Sequence, residues 1–314
     1  MGAFNKLKNQ LMVFKQRQLL NRWCIDLAGD DVVFIAGSGR SGTSWLANIC
    51  NYQNDFRYLF EPLNPSSLST KYRVQWALPS NVNSPVMDAM LLGKISNEWV
   101  NSRNKRFFAK RRLIKEIRSN LMLSWINKHY PKTKVVMMIR NPFDVAASRK
   151  ALSQRDDNSQ WVWLPSLEEL LKEKPLIDAL NKQQFEALYA QIGNGVVMET
   201  VADWCINNLL ILNQPERQSC YVVYYEELIN DGVEVAKRLL NYIGVSISEN
   251  LEQTLLQRSE TSRSNLGTQW RDVLTDQEYK QIVNLLALFD IQKLYTDDWQ
   301  PVVSNEVQSK VANA

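Results

Sequence analysis

Histidine is almost missing from this chain: His129 stands alone among 314 residues. The four cysteines, Cys24, Cys50, Cys205 and Cys220, are scattered and form no C-x-x-C pair. A zinc site has too few ligands to be expected, and no other metal constellation stands out. So few distant cysteines read as free thiols in a reducing compartment rather than as a disulfide framework. Long apolar runs are missing too, and none approaches the roughly 20 residues that cross a bilayer. Residues 1–25 lack the apolar stretch of a secretory leader, so a cytoplasmic protein is expected. Charge of one sign is scarce overall. Thirty-seven Lys and Arg against 33 Asp and Glu leave a net +4, too mild to point to nucleic acid.

Locally the balance differs. Met1 to Ile25 holds no acid but carries Lys6, Lys8, Lys15, Arg17 and Arg22, with Phe4, Leu7, Leu11 and Phe14 at helical spacing. A basic amphipathic helix within residues 1–30 suits either of two places: a peripheral contact with an anionic membrane, or the flank of the folded domain. Myristoylation at Gly2 is not expected, because Lys6 stands where Ser or Thr is needed.

Apolar runs bounded by turn signals predict strands at Val32–Ala36, Tyr58–Phe60, Leu113–Ile117, Lys134–Ile139 and Cys220–Tyr224. Helical patterns fall between and after them, at Thr43–Tyr52, Val86–Val100, Asn120–His129, Pro142–Leu152, Val196–Leu212, Val233–Ile243 and Asp276–Leu288. The alternation predicts an α/β fold, a P-loop-like three-layer sandwich whose mostly parallel central sheet is flanked by helices. Residues 31–300 read as one domain with a helical insertion at about 153–195, and residues 301–314 as a tail.

The first strand runs into Gly37-Ser38-Gly39-Arg40-Ser41-Gly42-Thr43-Ser44. A buried strand, a glycine-rich turn and a helix start together make a phosphate grip. Glycines let backbone N–H groups converge, and the helix N-terminus adds partial positive charge. Gly37 and Gly42 keep the Walker spacing, but Thr43 occupies the Walker lysine position and the cation is Arg40, inside the loop. That pattern suits one phosphate and its attached group better than a magnesium-bound triphosphate.

Gly37 to Leu46 resembles the 5′-phosphosulfate-binding loop of the sulfotransferase family, in the R-S-G-T form of carbohydrate and tyrosylprotein members. The resemblance implies that Gly39, Arg40, Ser41, Gly42, Thr43 and Ser44 hold the 5′-phosphate and sulfonate of 3′-phosphoadenylyl sulfate (PAPS). Farther on, the strand Val135–Ile139 ends at Arg140, and Ser148 follows on the second turn of the helix begun by Pro142. An arginine at a strand tip and a serine just inside a helix can grip one phosphate together. The pair resembles the family's 3′-phosphate motif. Tyr225, in Tyr224-Tyr225-Glu226-Glu227-Leu228, matches the family's tyrosine near the adenine, and a core tyrosine is the other reading. Arg263, in the 263–271 stretch, resembles the segment that closes over the nucleotide. Together these imply PAPS as donor, adenosine 3′,5′-bisphosphate as product, and no metal.

Sulfonyl transfer needs a proton acceptor for the attacking group and cations near the sulfonate. His129 precedes a strand and belongs at the edge opposite the loops. Glu61 is expected at a strand's carboxyl end, within Phe60-Glu61-Pro62-Leu63, which resembles the F-E-P-L segment of carbohydrate sulfotransferases; partial desolvation is expected to raise its pKa. A surface position or a salt bridge to Arg57 is its alternative. Lys115 resembles a family lysine near the sulfonate. Arg103 to Arg118 holds eight Lys and Arg against Glu116, a solvated face or an anion channel. Trp161 and Trp163 either stack on an acceptor or dock the insertion. The acceptor class is a hydroxyl of a small molecule, glycan or lipid. A P-loop kinase and a non-catalytic nucleotide-binding scaffold are the competing readings.

Overall fold

The computed structural model describes residues 24–66, 76–154, 164–212, 220–256 and 270–302, with Leu19 and Leu68. Its strands are β1 (Ile25–Asp26), β2 (Val32–Gly37), β3 (Arg57–Phe60), β4 (Phe108–Ala109), β5 (Arg112–Lys115), β6 (Lys134–Ile139) and β7 (Cys220–Tyr224). Five of them form one sheet in the order β3-β5-β2-β6-β7, every neighbour parallel. Strands covered on both faces carry continuous apolar runs, and all six residues of β2 are buried.

Alternation along the strands splits these residues between two cores. Val32, Phe34 and Ala36 join Val135, Met137 and Ile139 on one face; Val33 and Ile35 join Val136 and Met138 on the other. The helices Leu123–His129, Pro142–Ser153 and Gly195–Trp204 cover the first face and bury Trp125, Phe143 and Trp204 completely. Thr43–Cys50 and Gly232–Ile243 cover the second through Leu46, Ile49, Leu239 and Ile243. Each such side chain contributes about 1.5–3 kcal/mol by leaving water. Three layers result, as the alternation predicts.

After β2 the chain goes to one side, through β3 and β5. It then crosses β2 to place β6 and β7 on the other side. The loop leaving β2 therefore stands where the strand order reverses, the place at which open α/β sheets bind ligands.

Four elements differ from the sequence-based expectation. The helix expected over Val86–Val100 is Pro85–Leu91. Gly93 ends it at φ 68°, its N–H reaching the Met90 carbonyl while that of Lys94 reaches Ala89, a Schellman stop. The strand expected to reach Ile117 stops at Lys115, because the Glu116 carboxylate accepts from the N–H groups of Ile117 and Arg118. The long helix 196–212 contains a π-turn at Cys205–Leu209. The short ribbon of β1 with β4 was not expected at all.

Candidate nucleotide and transfer site

The loop after β2 is held from three directions. The N–H of Gly37 donates to Asn120 Oδ1 at 3.0 Å, and a Cβ there would meet the Met138 carbonyl at 2.7 Å. Ser41 Oγ donates to the Ser38 carbonyl at 2.6 Å, closing the loop on itself. Ser38 Oγ accepts from Asn208 Nδ2 at 3.0 Å, and Asn208 belongs to the π-turn. Such one-turn irregularities re-aim side chains and are frequent at functional sites. Gly42, at φ 93°, then starts the helix Thr43–Cys50. A Cβ on Gly42 would lie 2.6 Å from the ring of Tyr225.

The motif at the end of β6 meets this loop directly. Arg40 Nε donates to Ser148 Oγ at 3.1 Å, and Arg140 Nη1 donates to the Arg40 carbonyl at 3.2 Å. The Arg140 guanidinium lies 4.3 Å over the Tyr225 ring, its Nε makes no hydrogen bond, and the Asp144 carboxylate is 3.8 Å from its Nη2. Asn141 caps the helix Pro142–Ser153 by accepting from Phe143 N–H, while Trp204 Nε1 donates to the Arg140 carbonyl at 2.9 Å. Glu226 accepts from the Asn141 N–H at 2.8 Å and from Tyr295 Oη at 3.2 Å. Burial pushes its carboxyl up to about 7, against the pull of the Asn141 N–H and the Arg140 charge.

On the other side of β2, the carboxyl ends of β3 and β5 bring Glu61 and Lys115 together. Glu61 is only 5% exposed and adopts φ 46°. Its Oε1 accepts from Lys115 Nζ at 2.5 Å and its Oε2 from Arg118 Nη1 at 3.1 Å. Arg118 Nη1 also reaches Glu116 Oε1 at 3.0 Å, and Glu116 accepts from the Leu63 N–H at 2.7 Å. Burial alone would raise the Glu61 pKa, but Lys115 and Arg118 outweigh it and hold the carboxyl below its usual value. The expected upward shift is thus reversed, because the group is desolvated against two cations rather than against apolar surface.

A family profile described as "Sulfotransferase family" matches residues 32–249. The chain belongs to the sulfotransferase family. A curated relative, nodulation protein NoeE of Sinorhizobium fredii (strain NBRC 101917 / NGR234), is 24% identical over 286 residues, 82% of this chain and 64% of that protein. The chain therefore spans less than two thirds of that relative's length. Among solved structures, mouse sulfotransferase SULT7A1 complexed with PAP is similar at 15% identity and TM-score 0.46, covering 95% of this chain and 93% of the other. A sulfotransferase from Alicyclobacillus acidocaldarius is similar at 20% identity and TM-score 0.38, over 82% and 94%.

Of the residues singled out by sequence, Gly39 to Ser44, Arg140, Ser148 and Tyr225 share one edge of this sulfotransferase, and Glu61 with Lys115 lies along the same edge. Ser148 sits against Arg40, and Tyr225 fills the space beside Gly42 rather than standing clear of the loop. Arg57 does not pair with Glu61; it binds Asp26 at 2.8 Å. The basic stretch 103–118 is not one solvated face, since Arg112, Lys115 and Arg118 are buried and bind Asp26, Glu61 and Glu116. His129 ends the helix before β6, at the amino edge, stacked on Trp125 at 4.3 Å. Arg263, Trp161, Trp163 and nearly all of residues 1–23 lie outside the described residues.

Four supporting residues escaped the sequence reading: Asn120, Asn208, Arg118 and Glu116. The signal for one was visible. Asn207 and Asn208 interrupt an otherwise apolar helical run, and buried amides must find partners. Among the described residues no cluster of three or more His, Cys, Asp or Glu is placed to hold a metal. No helix among them is long and apolar enough to cross a membrane.

Proposed function

We propose that this chain moves the sulfonate of PAPS to an acceptor hydroxyl and releases adenosine 3′,5′-bisphosphate. The observation that carries the reading is the direct joining of two anion-binding motifs, through Arg40 to Ser148 and Arg140 to the Arg40 carbonyl. A donor with phosphate at two places on one ribose-linked adenosine needs two such motifs side by side. The loop Gly39 to Ser44 and the helix start at Thr43 take the 5′-phosphosulfate, and Arg140 with Ser148 takes the 3′-phosphate. Tyr225 borders the adenine side, and Arg263 is assigned to the closing segment.

In the transfer, the acceptor oxygen forms a bond to sulfur while the bridging bond to the 5′-phosphate breaks. The acceptor proton goes to Glu61, and the electron pair leaves on the phosphate oxygen beside Arg40. The depressed Glu61 pKa keeps the carboxylate ionised and ready to accept. An anion arriving at this edge competes for Lys115, and as Lys115 turns toward it Glu61 loses one of its two cations. Its basicity then rises when donor is loaded. A carbohydrate-like hydroxyl fits the Arg-type loop and the Phe60–Leu63 segment best.

Calorimetric titration tests the donor assignment. Adenosine 3′,5′-bisphosphate is expected to bind far more tightly than ADP, which lacks the 3′-phosphate, and with no need of magnesium. Equal affinity for both, or preference for ATP with magnesium, would sink it. Transfer of labelled sulfonate to a panel of glycan, lipid and small-molecule hydroxyls then identifies the acceptor.

A further inference from the structure

The edge of the sheet opposite this site carries an unexpected surface. In the ribbon of β1 with β4, Ile25 pairs with Phe108 and Asp26 with Ala109. Alternation turns Asp26 and Ala109 inward, where Asp26 binds Arg57 and Arg112 at 2.8 Å each. The outward residues are apolar: Ile25 is 56% exposed, Leu27 56%, Phe108 47% and its neighbour Phe107 44%. Leu92, 42% exposed, is drawn beside them because Arg112 and Arg57 also bind the carbonyls of Leu91 and Gly93.

Cations border the apolar surface. Lys94, Lys105, Arg106 and Lys110 are exposed, and the acids nearby are paired: Asp55 with Arg106 at 3.8 Å, Asp31 with Arg111 and Asp30 with Lys132 at 2.9 Å each. The chain that enters the ribbon at Cys24 brings more of the same chemistry. Residues 1–23 contain Lys6, Lys8, Lys15, Arg17 and Arg22, no acid, and the apolar residues Phe4, Leu7, Leu11 and Phe14. Aromatic and aliphatic side chains with Lys94, Lys105 and Lys110 at their border match the interface of an anionic bilayer, where the rings enter the headgroup boundary and the cations meet phosphate. A protein partner would be expected to offer acids to these cations and apolar side chains to the centre, but a lipid surface offers both at once and needs no shape match.

We propose that the ribbon face formed by Ile25, Leu27, Phe107 and Phe108, with Lys105 and Lys110, is a docking surface for an anionic membrane. Arg57 and Arg112 are the first residues of β3 and β5, so this face lies at the amino edge of the sheet. Docking there leaves the opposite edge turned away from the lipid, open to a water-borne donor.

Co-sedimentation of the full chain with vesicles decides it. Binding is expected to phosphatidylcholine vesicles containing phosphatidylserine, to fall at high salt, and to drop about tenfold on pure phosphatidylcholine. The pair Leu27→Ser with Phe108→Ser, and separately Lys105→Glu with Lys110→Glu, are each expected to lower binding about tenfold. Both variants should keep the native affinity for adenosine 3′,5′-bisphosphate, which shows that they fold. Absence of vesicle binding by the native chain overturns the proposal. So does unchanged binding by both folded variants, which would assign all lipid contact to residues 1–23. A native dimer in sedimentation velocity that the same substitutions dissolve would give the face to a second copy instead.

Discussion

The two ends of the sheet's carboxyl edge use the same residue types and surround them differently. At the β3 and β5 end, cations are answered by carboxylates: Lys115 and Arg118 bind Glu61, and Arg118 also binds Glu116. At the β6 and β7 end, the arginines meet a hydroxyl, a carbonyl and an aromatic face, and the ion pair there is longer. Arg40 reaches the Ser148 hydroxyl, and Arg140 reaches a carbonyl and the face of Tyr225, with Asp144 only at 3.8 Å. Lys115 and Arg118, closely paired, position a carboxylate, whereas Arg140, held by a carbonyl, a ring face and a longer ion pair, keeps more of its potential for an incoming anion. Charge counting along the sequence cannot separate the two; the counter-groups do.

The largest expected effect breaks the first end without touching the second. Glu61→Gln keeps the shape but removes the proposed proton acceptor, so kcat should fall by about a hundredfold or more. Affinity for adenosine 3′,5′-bisphosphate should stay unchanged in the same protein. Unchanged turnover would remove Glu61 from the chemistry and make it a partner for Lys115 alone.

The complementary change is Arg140→Ala. Losing a charge-assisted bond costs about 1.5–3 kcal/mol, which is roughly tenfold to a hundredfold in affinity. The loss should be in the 3′-phosphate, so titration with the variant should show the 3′,5′-bisphosphate binding little better than 5′-AMP. If kcat at saturating donor collapsed instead, the division of labour between the two ends would be wrong.

The smallest effect is on stability, and the two ends differ in sign. Glu61 has a folded pKa below its unfolded value, so its contribution is present above the unfolded pKa and fades as pH falls through the folded one. Glu226 is raised from 4.5 to about 7, so its contribution is full below the unfolded value and is lost as pH rises to about 7. Thermal melts should therefore show Glu226→Gln gaining on the native chain as pH goes from 5 to 8. No change in the difference between the two melts would mean that Glu226 titrates normally.

The sheet was legible because buried parallel strands declare themselves: Val32–Gly37 and Val135–Ile139 are apolar throughout. The glycine-rich loop was legible because Gly37 and Gly42 take positive φ where a Cβ would meet its neighbours. Glu61 could be placed at a strand end but not given its environment. The cations that set its pKa lie 54 and 57 residues away in the chain, and only the pairing of β3 with β5 brings them close. Asn120 and Asn208 were hidden for the same reason, each supporting the loop from more than 80 residues off. The ribbon of β1 and β4 was missed because two-residue strands have no period to detect.

Tyr225 occupies the volume that any side chain at residue 42 would claim, and Arg140 rests 4.3 Å over the same ring. Loop, ring and guanidinium thus form a stack in which none can shift alone. A methyl group added at Gly42 would displace the arginine some 100 positions downstream, so damage to one phosphate grip would be transmitted to the other. A substitution at Gly42 should therefore weaken both phosphate grips at once, whereas Arg140→Ala removes one.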